Sequence, residues 1–428
     1  MTEQRVFEAR EHADYTERFD RAEFDVKRYR VTWTKTDRFK MGRKVGQGHF
    51  GEVFEAKDTQ RKSKKVVAKM LKDTRKQKAK LRQEIKMLEY VRGGPNIVQL
   101  QDTVKDLNTG NKLLIFEKIN YVKCRDLFPQ LDNEEVRYYA YELLRAIAYT
   151  HSIGVMHRDI KPSNILIDPR KRKLRLIDWG KNIRGPGTRC YKSPELSLRY
   201  EYYDYSCDMW AFGCTFGSMI FLEHPLIRGK GSWFNQLLAT VKIVGSDELF
   251  TYMRKINVVL DDDQMAALSG YPKKKWESFI DDDNRHRVTP EAIDLIANCV
   301  LTDHVRRFTA TEAMAHPYFD AVRPSSSSAS SSRTHRHSKR NAADSAGSSS
   351  DSGRGGPAKP DVASGSYSYY YESTYQYVSY TGSSSSSDDA PKARTGKSSR
   401  AGSSRASSSR PSKSASKAAS KASKSRRR

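Results

Sequence analysis

At 428 residues the chain is long enough for one large domain or for two to three ordinary ones, and for a core that folds without disulfide help. It is 37% hydrophobic and 30% charged, and no uninterrupted apolar run approaches the roughly 18–20 residues that a membrane helix needs, which excludes a helical membrane protein. The formal net charge is +26, and half of that excess sits in residues 324–428, where 19 Lys/Arg face 6 Asp/Glu. Residues 391–428 hold thirteen basic side chains among Ser and Ala with no acid, a composition that cannot bury enough apolar surface to offset chain entropy. The tail is therefore expected to be disordered and polybasic. Residues 1–23 are charged throughout and lack the apolar centre of a secretory signal, which argues against secretion. Cys124, Cys190, Cys207, Cys214 and Cys299 form an odd, scattered set without a CxxC pair, so unpaired thiols in a reducing compartment are expected.

Taken in chain order, apolar patterning is dense from about Phe39 to Val322 and stops at Pro324, where a run of serines begins. From Phe39 to Asn120 the pattern predicts mostly strands, in MGRKVGQGHFGEVFEAK, VVAKMLK and LLIFEKI, with β-branched residues alternating around turn signals. One helix interrupts them over Lys78–Val91, where Leu81, Ile85, Leu88 and either Tyr90 or Val91 recur on one face. Helices dominate from Asn133 onward, as in NEEVRYYAYELLRAIAYTHS, PEAIDLIANCVL and TATEAMAHPYF. The fold class expected is α+β, with residues 1–38 packing as a segment on the core. A strand-rich small lobe (39–120), a helical large lobe (121–323) and the tail (324–428) follow.

Three clusters carry chemistry. Gly46, Gly48 and Gly51 lie in a predicted strand-turn-strand, where glycine lets backbone amides approach phosphate, although the stretch alone fits a flexible hairpin equally well. Lys69 stands in the apolar strand VVAKML, where a lysine needs an anion, and Glu84 on the basic helix is its natural partner. His157-Arg-Asp159-Ile-Lys161-Pro-Ser-Asn164, followed by Asp178-Trp179-Gly180, is the most specific segment. It supplies a carboxylate to accept a hydroxyl proton, an amide and a second carboxylate to hold divalent metal, and a lysine to neutralise phosphate, as phosphoryl transfer requires. Gly187 to Glu195 then reads as a substrate-side loop.

These motifs, in this order, resemble a eukaryotic protein kinase over about Phe39–Phe319. The resemblance implies a two-lobed kinase fold that uses ATP and Mg²⁺. It assigns Lys69 to the α and β phosphates, Glu84 to its ion pair, Asp159 as catalytic base, Lys161 to the γ-phosphate, and Asn164 and Asp178 to Mg²⁺. Lys161-Pro162 and Thr188 resemble serine/threonine rather than tyrosine kinases, and Asp208 and the pair Glu195–Arg307 resemble structural supports of the large lobe. A narrower resemblance is to the catalytic (alpha) subunits of casein kinase II, carried by RGGPNIV, VMHRDIKPSNILID, KLRLIDWG, YDYSCDMWAFGC and above all GSDELFTYMRKINVVLDDD with KKKWESFI. From it, Phe116 would be the gatekeeper and Glu117 to Asn120 the hinge, including Ile119. Val45, Val53, Val67, Leu166 and Ile177 would enclose the purine of ATP, with GTP as an alternative donor. It also implies a regulatory subunit as a partner.

Two departures are visible: the segment between Asp178 and Glu195 is about nine residues shorter than in those subunits, and Gly51 stands where they usually have serine. Residues 10–33 are expected to hold the activation segment, as that family's N-terminal segment does. Lys72, Arg75, Lys76, Lys78, Lys80 and Arg82 crowd the approach to Glu84, and Arg184, Arg189 and Lys192 lie in the substrate-side loop. A positive cleft favours Ser or Thr near acidic side chains, although such a run also fits a merely solvated or nucleic-acid-contacting face. The reading is an acidophilic serine/threonine kinase. A kinase-fold scaffold without catalysis and a nucleic-acid-binding protein acting through residues 391–428 are the rival classes. The terminal KSRRR also reads as a nuclear import signal, giving nucleus and cytoplasm as expected locations.

Overall fold

The strand β1 (Thr34–Lys35) precedes the dense apolar region and pairs in parallel with β5, Thr34 opposite Val104. It forms one edge of a six-stranded sheet in the order β1-β5-β6-β4-β3-β2, all other pairs antiparallel. The other strands are β2 (Phe39–Gly48), β3 (Gly51–Asp58), β4 (Lys64–Leu71), β5 (Leu100–Lys105) and β6 (Lys112–Glu117), and the helix α1 (Arg75–Tyr90) follows β4. This computed structural model describes residues 9–12, 29–48, 51–71, 75–106, 109–179 and 189–324. The expectations for the tail and for Lys72, Arg184 and Thr188 lie outside the described residues.

Period-two alternation sorts β4 into two faces. Val66 and Ala68, fully buried, join Phe39, Ala56, Val104, Leu113 and Ile115 in a small core of their own, while Val67 and Lys69 point the other way and are only partly covered. Gly51 permits the close approach of β3 to β4, because a Cβ there would stand 1.9 Å from the carbonyl oxygen of Met70. The helix α1 begins three residues before the stretch that periodicity predicts. Arg75–Lys80 holds strong helix formers with little apolar signal, so propensity extends the helix where the hydrophobic pattern is silent. Ile85 and Leu88 are its buried apolar residues, Val91 is buried just past its end, and Tyr90 instead donates its hydroxyl to the carbonyl of Ile153 in the helical lobe, 3.1 Å away.

The helical lobe opens with α2 (Cys124–Leu127) and α3 (Asn133–Ser152). Asp132 caps α3 in a reciprocal box: its side chain accepts from the Glu135 amide at 2.7 Å while the Glu135 carboxylate accepts from the Asp132 amide, an arrangement worth about 1 kcal/mol. A two-stranded hairpin, β7 (Ile165–Asp168) and β8 (Lys173–Leu176), is set among the helices, with strands too short to announce themselves by periodicity. Next come α4 (Pro194–Ser197) and α5 (Ser206–Phe221), the latter buried from Cys207 to Phe221 as the centre of the lobe. Around it lie α6 (Trp233–Val244), α7 (Ser246–Lys255), α8 (Asp262–Ala267), α9 (Pro290–Cys299) and α10 (Ala310–Ala315). A Cβ at Gly213 on α5 would fall 2.7 Å from the Cβ of Cys299, so glycine lets α9 pack directly against α5.

The lobes meet at β8, where the amide of Leu176 donates to the Asn96 carbonyl at 2.7 Å and that of Val98 donates to the Leu176 carbonyl at 3.2 Å. Described parts of the N-terminal segment touch both lobes: Arg10 bonds the Arg307 carbonyl at 2.9 Å and pairs with Glu312, while the Tyr29 hydroxyl bonds Glu89 on α1. Among the described residues no helix is long and apolar enough to cross a membrane. Cys124, Cys207, Cys214 and Cys299 are buried free thiols, and burial pushes each well above the ordinary thiol range, so they are inert packing groups.

Candidate active site

The sheet register brings the first group of candidates onto one face. Gly46 pairs with Val53, Val53 with Lys69, and Val67 with Phe116, so a glycine of β2, two valines, the lysine and the Phe116 ring share one wall of the cleft. From below come Leu166 on β7 and Ile177 just after β8. Val45 is exposed, and Val53, Val67, Phe116, Leu166 and Ile177 are only partly covered, which leaves apolar surface around the cleft for a ligand to bury. Gly48 ends β2 opposite Gly51. Ile119 is buried and Asn120 exposed in the connection between lobes. Glu117, at the start of the expected hinge, has its carboxylate engaged by Lys173 and Arg175 of β8.

The ionic group lies deeper. Lys69 Nζ stands 2.5 Å from Glu84 Oε1 and 3.9 Å from Asp178 Oδ1, so one ammonium links the small lobe's helix to the end of β8. Asp159 is 9% exposed; its Oδ2 accepts from Asn164 Nδ2 at 2.6 Å and lies 3.0 Å from Lys161 Nζ. The same Asn164 amide donates to the Asp159 carbonyl at 2.8 Å, which fixes the loop between the two residues. The residues thus form two groups, Lys69 with Glu84 and Asp178, and Asp159 with Lys161 and Asn164, and their segments are joined where the Ile177 amide donates to the Asn164 carbonyl at 2.9 Å.

Backbone geometry explains how the loop stays in place. Arg158 and Asp178 both adopt left-handed φ values, +65° and +73°, which a non-glycine residue keeps only when its surroundings enforce it. For Arg158 the enforcing group is Asp208 on α5. Its carboxylate, 1% exposed, accepts the amides of His157 and Arg158 at 2.7 Å each, and His151 Nε2 at 3.1 Å. His157 supplies a second tie: Nε2–H donates to the Ile177 carbonyl at 3.0 Å, and Nδ1 accepts from the Asp159 amide at 3.2 Å. Since a carbonyl only accepts and an amide only donates, the tautomer is fixed, and burial lowers the ring's pKa and favours this neutral form. Trp179 meets the His157 ring edge-on at 4.6 Å and donates Nε1–H to the Leu176 carbonyl, closing off the base of the Asp178 turn. The sequence marks Asp208 as a support, but the His151 and His157 roles become visible only here.

On the substrate side, Lys192 is partly buried, and burial followed by the adjacent Arg189 cation lowers its pKa while Asp159 raises it. A basic side chain therefore stands within electrostatic reach of the catalytic-loop carboxylate.

The protein kinase domain family matches residues 39–319, about two thirds of the chain. The chain belongs to the protein kinase family. Membership makes it a phosphotransferase acting on protein with ATP as donor, usually with Mg²⁺. The residues of this kinase fit that cation. Asp178 and Asn164 offer two hard oxygen donors, one a carboxylate and one an amide. That suits a metal that keeps waters and phosphate oxygens in its shell. Glu195 and Arg307 form a bidentate buried pair, both contacts 2.7 Å and neither side chain exposed, beneath the substrate-side loop.

Proposed function

We propose that this kinase transfers the γ-phosphoryl of ATP to serine or threonine in acidic sequence contexts, in the manner of casein kinase II catalytic subunits. In this reading Asp159 orients the substrate hydroxyl and takes its proton, held in position by Asn164 and by the amides anchored on Asp208. Lys69, oriented by Glu84, binds the α and β phosphates, and Lys161 binds the transferring group. Asn164 and Asp178 hold Mg²⁺, which when bound neutralises charge on the β and γ oxygens. Thr188 would help select the hydroxyl. GTP as a second donor is tested by comparing kcat/KM for the two nucleotides.

The acidic preference is supported by Lys192 of the substrate-side loop, whose pKa burial and then the Arg189 cation lower while Asp159 raises it, which puts a basic side chain within electrostatic reach of that carboxylate. The basic stretch Arg75–Arg82 lies at the start of α1, the helix that also carries Glu84. Neutralising Lys76, Lys78 and Lys80 together is expected to raise KM for an acidic serine peptide about tenfold while changing a neutral peptide less than twofold, as electrostatic capture requires. Raising the salt should reproduce the loss in wild type. An unchanged ratio of the two specificity constants would remove this helix from substrate recognition.

The polybasic tail supports a second proposal, that residues 391–428 bind polyanions such as RNA or DNA and carry a nuclear import signal. A chain ending at Arg323 should keep peptide phosphorylation and lose RNA affinity, and the full chain's RNA affinity should fall steeply with salt. RNA binding indifferent to both truncation and salt would refute that role. A regulatory subunit belongs to the same proposal by resemblance, tested by whether activity toward protein substrates changes when one is added.

A further inference from the structure

We propose that Glu117 is a positioning residue for nucleotide binding: its carboxylate ties the connection between the lobes to β8, the strand that leads into Asp178, and so sets the spacing between the purine end and the phosphate end of the cleft. The inference rests on the kinase reading of that cleft and adds a residue that acts through its side chain, away from the bound nucleotide.

Glu117 is the last residue of β6, and three donors converge on its carboxylate. Lys173 Nζ lies 2.6 Å from Oε2, Arg175 Nε lies 2.7 Å from Oε1, and the Gln99 amide reaches Oε1 at 3.3 Å. The Glu117 amide returns to the Gln99 carbonyl at 3.2 Å, so β6 and the start of β5 close around the same group. Lys173 and Arg175 share one face of β8 because Leu174 and Leu176, at 1% and 0% exposure, fill the core on the other. Three residues after Arg175 the chain reaches Asp178, and the intervening Ile177 is part of the floor of the cleft. A shift of β8 therefore moves floor and carboxylate together.

The following residue is tethered the opposite way. Lys118 pairs with Glu55 on β3, the strand that carries Val53 into the roof of the cleft. Consecutive residues of the connection are thus pinned one to each lobe. The Glu117 side chain is 14% exposed, and although burial alone would raise its carboxyl pKa, the Lys173 and Arg175 bonds hold it below the usual carboxylate value. It stays ionised throughout the working range of a kinase. A glutamine there would leave two cations crowded against a neutral group, and β8 would relax away from β6.

The test measures ADP·Mg²⁺ binding by calorimetry, and ATP and peptide KM in steady state, on the full-length chain. Glu117→Gln is expected to weaken ADP binding and raise the ATP KM about tenfold, as the charge-assisted bonds to Lys173 and Arg175 are lost in a partly buried site. At saturating ATP, kcat and the peptide KM should stay within about twofold. Arg175→Gln should act in the same direction, and the double variant should be no worse than the worse single, since both remove one interaction. Should Glu117→Gln be too unstable to assay, Arg175→Gln and Lys173→Met carry the same comparison. Variants that melt earlier yet bind ADP as wild type does, or effects that add in the double variant, would overturn the clamp and leave an ordinary structural ion pair. Wild-type protein that bound no ADP would instead overturn the cleft assignment beneath it.

Discussion

Asp159→Asn is expected to lower kcat for a serine peptide by about 10²–10⁴-fold while the melting temperature stays near that of wild type. The change preserves shape and the Asn164 contact at Oδ2, but removes the negative charge that Lys161 faces at 3.0 Å and the group able to take a proton. Lys69→Met should have an effect of at least similar size, because it removes the ammonium that Glu84 holds at 2.5 Å and with it the phosphate contact. Peptide phosphorylation under saturating ATP, beside a thermal melt, separates chemistry from folding. Either variant retaining more than about one tenth of the wild-type rate would overturn the role given to that residue.

Arg307→Ala is expected to cost about 3–5 kcal/mol of stability, because it strands the Glu195 carboxylate in a site with no exposure. In a domain of this size that is a fall of roughly 10 °C in melting temperature. Arg307 also donates to the carbonyls of Leu301, Ser206 and Thr302, so its loss opens three further acceptors and loosens the support of the substrate-side loop. Replacing both partners, Glu195→Leu with Arg307→Leu, should recover part of the loss by removing the stranded charge. The pH dependence follows the same pair. Burial alone would raise the Glu195 carboxyl, but Arg307 overrides it and leaves the folded-state value below the ordinary one. Its contribution to stability is therefore present above the unfolded value of about 4.3 and lost as pH falls through the folded value. Thermal melts from pH 7 down to 3, on wild type and the double variant, measure it. A wild-type acid limb no steeper than that of the double variant would show that the pair does not set acid stability.

How legible the site was depended on how far along the chain its parts lie. Asp159, Lys161 and Asn164 sit within six residues, so one loop carries their chemistry and the spacing alone brings them together. Lys69 and Glu84 are fifteen residues apart on a strand and a helix, near enough for charge and apolar context to suggest a pair. Asp208 lies about fifty residues beyond the amides it holds, and it could be named as a support only by resemblance. For Glu117 the sequence pointed to the connection between the lobes but named no side-chain partner: fifty-six residues separate it from Lys173, and nothing local says that its side chain turns toward β8. The helix α1 shows the complementary limit, since its first turns hold charged helix formers that leave no hydrophobic period to read.

The sequence by itself determined the α+β class, the order of strand-rich and helical lobes, the family through its motif order, and the residue types that phosphoryl transfer needs. These are properties of local pattern: period two against period 3.6, glycine where backbone must come close, and several ionisable groups packed into one short loop. Tertiary structure alone decided which neutral tautomer His157 adopts, that Asp208 enforces the left-handed turn at Arg158, that β7 and β8 form a hairpin within the helical lobe, and that Glu117 faces two cations of the other lobe. Those facts depend on which face of an element turns inward and on which distant residue then lies within 3 Å, and both are set by the packing of whole elements against one another, for which spacing along the chain carries no signal.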